Sequence, residues 1–268
     1  MDKHLIVLDL DGTLLTSEKV ISPYTKKQLQ LAMAAGHEVM IATGRPFRAS
    51  VLYYNELRLS TPIVNFNGAY VHHPLIPEWE VRHTPLPLEK VHNLLDIAER
   101  HGVKNIVAEV KDDVYIEQYD ADLMPIFNFG EPHMVHGNIR DSLTTGATGL
   151  LLQANGSDAE SLRQAVTSEH VDALYYHEWG PPFHILELVN KEVNKAYGIQ
   201  PITEVYKIPQ ERVIAFGDES NDLEMIEYAG VGVAMGNAID DLKNIANVVT
   251  DTNDEDGIGK FLKDYLQL

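Results

Sequence analysis

The chain reads as α/β: a doubly wound, mostly parallel sheet interrupted by an inserted α+β domain. Three observations predict it. Short apolar runs alternate with helix-spaced segments at both ends of the 268-residue chain. Several of those runs stop at acidic, hydroxyl or amide residues beside a glycine. Between residues 84 and 188 the alternation lapses, and afterwards it resumes.

The opening run, Leu5-Ile6-Val7-Leu8, is wholly apolar and ends before Gly12, as a strand buried on both faces does. Ser22 as N-cap and Pro23 at the first helical position start a helix to about Ala35, which Gly36 ends. Glu38 to Ala42 is the second strand and runs into Thr43-Gly44-Arg45-Pro46. A helix to about Leu57 and a strand Ile63 to Phe66, closed by Asn67-Gly68-Ala69, follow. Such alternation predicts right-handed βαβ crossovers.

The pattern changes near His83. Leu88 to about His101 places Val91, Leu94, Leu95 and Ala98 at helical spacing. Asp113 to Ile116, Gly149 to Gln153, Ala173 to His177 and Phe183 to Val189 are β-like, and Ser157 to about His170 is helical. A stretch this long exceeds any single crossover connection. Residues 84–188 are therefore expected to form an inserted domain with its own sheet, and residues 1–83 with 189–268 the main one. In the last segment a helix from about Val193 leads to strand Arg212 to Phe216, helix Leu223 to Ala229, strand Val231 to Ala234, strand Asn247 to Thr250 and a closing helix Gly257 to Leu266.

Hydrophobic residues make up 44% and charged residues 23% of the chain, ordinary for a folded globular protein. The formal charge of −19 argues against nucleic acid or an anionic membrane as partner, and obliges any phosphate site to rely on local cations. With no cysteine, disulfides and thiolate chemistry are excluded. No run approaches transmembrane length, and Met1-Asp2-Lys3-His4 leads straight into a strand rather than an apolar leader; a cytoplasmic protein is expected.

Asp9 and Asp11, two residues apart, leave the first strand on one face. That strand end is where open α/β sheets bind ligands. Unpaired carboxylates there repel one another, and a hard cation such as Mg²⁺ is their natural companion. Thr43-Gly44-Arg45, Asn67-Gly68, and Asp218 with Asn221 and Asp222 end further strands and are expected at the same edge. A lysine after the insertion, Lys195 or Lys191, completes a set suited to a phosphoryl group beside a divalent metal. The histidines, including His72-His73 and His133/His136, have no ligand spacing and read as surface or loop residues. Tyr175, Tyr176, Trp179 and Phe183 read as the core or a turn of the inserted domain, with a substrate wall as the alternative.

Asp9-Leu10-Asp11-Gly12-Thr13-Leu14-Leu15, Thr43-Gly44-Arg45, Lys195 and Gly217-Asp218 with Asn221-Asp222 match, in order, the four motifs of the haloacid dehalogenase-like hydrolases. The insertion resembles their type IIB (C2B) cap in length and layout. Gly232-Val233-Ala234-Met235-Gly236-Asn237-Ala238 and Asn253-Asp254-Glu255-Asp256-Gly257 resemble the Cof-type subfamily. Ala196 departs from the glycine usual there.

The resemblance implies a Rossmann-like core and a Mg²⁺-dependent phosphatase of small phosphorylated metabolites, such as sugar, nucleotide or cofactor phosphates. In it Asp9 is the nucleophile that becomes an aspartyl-phosphate, and Asp11 the acid and then the base. The metal falls to the Asp9 and Asp218 carboxylates and the Asp11 carbonyl, with Asp222 close by. Thr43, the Leu10 and Gly44 amides, Asn221 and Lys195 bind phosphate oxygens, and Arg45 and Asn67 are further substrate candidates. A phosphomutase of the same fold and a catalytically silent metabolite-binding regulator stay open as alternatives.

Overall fold

The computed structural model describes residues 3–170 and 174–268. Met1, Asp2 and Ala173, the last the first residue of a predicted strand, lie outside them. The chain divides into two compact units, one of Met1–Arg45, Ser50–Arg82 and Asn194–Leu268, the other of Pro46–Ala49 and His83–Val193. No helix among the described residues is long and apolar enough to cross a membrane.

The first unit is built on a five-stranded, all-parallel sheet. Its order is Val248–Val249, Val231–Ala234, Val213–Gly217, Leu5–Leu8 and Glu38–Ile41. Leu5–Leu8 is buried at every position because strands flank it on both edges and other layers cover both faces. The chain leaves it first toward Glu38–Ile41 and returns on the other side at Val213–Gly217. Residues directly after Leu8 therefore emerge at the point where strand order reverses, the crevice of a doubly wound sheet.

Local chemistry explains the flanking helices. Ser22 Oγ accepts the Thr25 amide and Pro23 opens the helix Pro23–Ala34, as predicted. Asn194 caps the helix Lys195–Tyr206 by accepting the Tyr197 amide at 2.8 Å. The closing helix spans Gly257–Leu266, as its sequence implied.

Ile63 to Phe66 is a correction. Ile63–Asn65 belongs to a three-stranded sheet with Tyr70–His72 and Arg82–His83, and touches the edge of the parallel sheet through a parallel bridge between Ala42 and Val64. Phe66 at φ 48° and Asn67 at φ 52° turn the chain back on itself, so the strand pairs with its own continuation. His72 and His73 are buried there, against expectation, while His133 and His136 are exposed.

The second unit carries a six-stranded sheet ordered Leu174–Trp179, Ile185–Asn190, Gly149–Gln153, Asn105–Val110, Asp113–Ile116 and Met134–His136. All pairings are antiparallel except the last. Helices Leu88–Arg100 and Ala159–His170 cover one face, over Ile106, Ala108, Leu150, Leu152, Leu186 and Leu188. The opposite face holds a smaller cluster of Val107, Val114, Ile116, Leu151 and Ile185 against Leu123 and Phe127. Trp179 and Phe183 pack on that cluster. The strand Asn105–Val110 escaped sequence reading because Glu109 and the flanking Lys104 break its apolar run, although Glu109 is buried.

Candidate active site

Four strand ends and one helix start assemble the site. Asp9 follows Leu5–Leu8, its amide donating to Phe216 O at 3.2 Å, and the residue is buried. Lys195, fully buried at the first turn of Lys195–Tyr206, places Nζ 2.6 Å from Asp9 Oδ1 and 2.6 Å from Asp222 Oδ1. The other oxygen of Asp222 accepts the amides of Asp218 and Glu219 at 2.9 and 3.2 Å. Asp218 accepts the Thr13 hydroxyl at 2.7 Å on Oδ1. Of the two candidate lysines, Lys195 reaches the carboxylates and Lys191 is exposed.

One ammonium faces three carboxylates, and the titration behaviour follows. Burial pushes the Asp9 carboxyl well above its ordinary range, Asp222 and Asp218 add to this, and Lys195 pulls against it. Burial likewise raises Asp218 to about 6. Burial works against the Lys195 charge, but Asp222 and Asp9 more than restore it. Asp9, Asp218 and Asp222 each offer an oxygen within 4.8 Å of the others. Both Asp222 oxygens are committed to Lys195 and backbone amides, whereas Asp9 and Asp218 each use one. The two oxygens left over, in a pocket of surplus negative charge, fit a hard divalent cation.

The Asp11 carboxylate turns elsewhere. Arg45 grips it through Nε and Nη2, both at 2.6 Å, and Lys19 Nζ lies 2.7 Å away. Partial burial works to raise its pKa, but the Arg45 and Lys19 hydrogen bonds outweigh this and hold it at about 2. Gly12, directly after Asp11, has φ +75°, and a Cβ there would lie 2.1 Å from Asp218 Oδ2. Only glycine permits that approach.

Thr43 is buried, its hydroxyl accepting the Arg45 amide at 3.1 Å, and the following helix starts only at Phe47. Asn221 Nδ2 donates to Asn67 Oδ1 at 3.0 Å, and Gly44 packs beside the Asn67 amide. Glu219 is exposed. Leu10 is buried, its carbonyl accepting the Leu15 amide at 2.9 Å.

A family model described as haloacid dehalogenase-like hydrolase matches residues 6–262. The chain belongs to that family. This hydrolase is 47% identical over 265 residues, 99% of its length and 98% of the relative's, to a 5-amino-6-(5-phospho-D-ribitylamino)uracil phosphatase of Bacillus subtilis. Its fold matches a haloacid dehalogenase-like hydrolase from Bacteroides thetaiotaomicron with a TM-score of 0.85 at 29% identity, covering 98% and 100% of the two chains. It also matches the subclass IIB sugar phosphatase BT4131 with a TM-score of 0.82 at 27% identity, covering 99% and 100%. The hydrolase is a phosphatase that acts on phosphate esters.

Sequence reading missed residues that hold its site loops. Thr13 fastens Asp218, and Lys19 reaches Asp11 from a turn in which its own φ is +60°. Asn237 Nδ2 donates to Gly12 O at 2.8 Å, Asn253 Nδ2 to Leu15 O at 2.8 Å, and Asp254 accepts both the amide and the hydroxyl of Ser17. Asn237 and Asn253 lie in the two stretches that resemble the Cof-type subfamily, and their contacts appear only in the folded chain.

Proposed function

We propose that this phosphatase is Mg²⁺-dependent, works through a phosphoaspartate on Asp9, and hydrolyses 5-amino-6-(5-phospho-D-ribitylamino)uracil or a close ring-bearing polyol phosphate. The observation that carries the chemistry is Asp9 at the strand-order reversal, one oxygen fixed by buried Lys195 and the other open beside Asp218. The substrate rests on the 47% identity, which spans both chains almost completely. The unit containing His83–Val193 is the substrate-selecting domain in this reading.

Asp9 and Asp218 would hold the metal, with the Asp11 carbonyl, while Asp222 orients Lys195 and the Asp218 backbone. The bound cation supplies charge neutralisation that lets an anionic phosphate approach an anionic nucleophile. Asp9 attacks phosphorus in line; the ester P–O bond breaks and the leaving oxygen takes a proton from Asp11. Asp11 then removes a proton from water, whose oxygen attacks the phosphoaspartate and returns Asp9 with inorganic phosphate. Thr43, the Leu10 and Gly44 amides, Asn221 and Lys195 receive the phosphate oxygens, and Arg45 and Asn67 border them. The Arg45 and Lys19 pairs favour the ionised Asp11 needed for the second step; the first requires Asp11 to leave them.

The test is hydrolysis of this ester and of p-nitrophenyl phosphate with Mg²⁺ and with EDTA, together with acid-quenched labelling from a ³²P-substrate. Metal-dependent turnover and label on the Asp9 peptide are expected. Turnover that survives EDTA, or label absent from that peptide, overturns the mechanism.

A further inference from the structure

The turn that follows Asp11 holds a lysine under constraint. The Thr16 amide donates to Val20 O at 2.9 Å, and the Lys19 amide donates to Thr16 O at 2.8 Å. Lys19 takes φ +60° there, a left-handed conformation that costs energy for a residue other than glycine. Its carbonyl accepts the Tyr53 hydroxyl at 3.0 Å, and its Nζ reaches Asp11 Oδ1 at 2.7 Å. Tyr53 is buried, so its bond to the Lys19 carbonyl is shielded from water.

The same tyrosine serves the second cation on Asp11. The Arg45 guanidinium lies over the Tyr53 ring, 5.6 Å from its centroid. Arg45 donates Nη2 to Asp11 Oδ1 and Nε to Asp11 Oδ2, both at 2.6 Å. Among the described residues, Oδ1 thus receives two donors and Oδ2 one. A carboxylate accepts about four hydrogen bonds, two on each oxygen, so one position on Oδ2 is left. All three bonds run into Asp11, so the carboxylate as held is set to accept and not to donate. Asp11, Lys19, Arg45 and Tyr53 all belong to the first unit.

We propose that Lys19 and Tyr53 are positioning residues for the second half of the reaction. Tyr53 fixes the Lys19 carbonyl and the Arg45 guanidinium, and the two cations hold Asp11 with one Oδ2 lone pair left for the attacking water. In that step a water O–H bond breaks and its proton goes to Asp11 Oδ2. The water oxygen bonds to phosphorus, the bond from phosphorus to Asp9 breaks, and the Asp9 carboxylate and inorganic phosphate result. In the first half Asp11 donates instead, and the clamp gives it no help. The proposal rests on the phosphoaspartate read above.

The test is steady-state kinetics on p-nitrophenyl phosphate with Mg²⁺, joined to acid-quenched mass spectrometry of the intact protein at a substrate concentration near the wild-type KM. This ester has a leaving group that departs without an acid, so kcat reports hydrolysis of the phosphoaspartate and kcat/KM its formation. Lys19→Met, at an exposed side chain, is expected to lower kcat about tenfold and leave kcat/KM within about threefold of wild type. KM then falls with kcat, and the phosphoenzyme fraction rises. Lys19→Arg keeps a donor in place and is expected to hold kcat within about threefold of wild type. Tyr53→Phe keeps the ring under Arg45, loses the hydroxyl, and is expected to show the pattern of Lys19→Met at about threefold in kcat. Equal falls in kcat and kcat/KM without added phosphoenzyme, or a Lys19→Met kcat within about twofold of wild type, overturn the proposal. Phosphoenzyme absent from wild type and from Asp11→Asn alike overturns the phosphoaspartate reading, and the proposal with it.

Discussion

Each unit buries one cation among acids, and the two clusters are incomplete in opposite senses. Around Lys195 the acceptors are in surplus: Asp9 and Asp218 each keep one carboxylate oxygen open. Around Arg48, whose Nη2 pairs with buried Glu109, the donors are in surplus, with Nε and Nη1 buried and unmatched. The first arrangement suits a cation and the second an acceptor. The same motif, a buried basic side chain with carboxylates, thus differs between the two units in its count of unmatched donors and acceptors.

The largest test of the acceptor-rich side is Asp9→Asn, which is nearly isosteric and removes the nucleophile. We expect kcat on p-nitrophenyl phosphate to fall at least about 10⁴-fold while the fold persists by circular dichroism. Residual turnover within tenfold of wild type would mean another group carries the phosphoryl. Next is Lys195→Met, which strands Asp9 and Asp222 in a dry site and is expected to cost about 3–5 kcal/mol by urea unfolding. Arg48→Met strands one carboxyl that burial already biases toward its neutral form, and is expected to cost less. Equal losses would erase the distinction drawn between the two clusters.

Gly12→Ala sharpens the same contrast through geometry. Its Cβ collides with Asp218 Oδ2, and displacing that carboxylate is expected to lower kcat about 100-fold and weaken Mg²⁺ activation. Titration gives a smaller effect. Asp218 binds its proton more tightly folded, at about 6, than unfolded, near 3.8. Metal-free protein should therefore lose stability as pH rises from about 4 to 6, by at most about 3 kcal/mol, and Asp218→Asn should flatten that slope in EDTA. Asp11 has the opposite sign, since its stabilisation is present above about 4 and lost only as pH falls toward 2. The smallest effect is Asp254→Ala, which releases two hydrogen bonds to exposed Ser17 and is expected to leave kcat on p-nitrophenyl phosphate within about threefold of wild type.

The parallel unit was legible because its signals are local. Apolar runs ended by glycine or polar residues marked the strand ends at Asp9, Thr43 and Asp218, and Ser22-Pro23 marked a helix start that the structure has at that residue. The antiparallel unit was less so. Asn105–Val110 looked too polar for a core strand because Glu109 finds its partner in Arg48, 61 residues away. The strand at Ile63 keeps one parallel bridge, Ala42 to Val64, and then turns into its own antiparallel sheet, because two positive φ angles, at Phe66 and Asn67, are invisible in a pattern of hydropathy.

By itself the sequence determined which carboxylates leave the first strand together and that a phosphoryl group beside a cation suits them. Folding alone decided which oxygens remain open. Lys195 meets Asp9 across 186 residues, Thr13 meets Asp218 across 205, and Asp11 is drawn away by Arg45 and Lys19. Hydrogen-bond partnership is a property of positions in space. A run of letters shows which groups can donate or accept, and only the packed chain shows which of them are already satisfied.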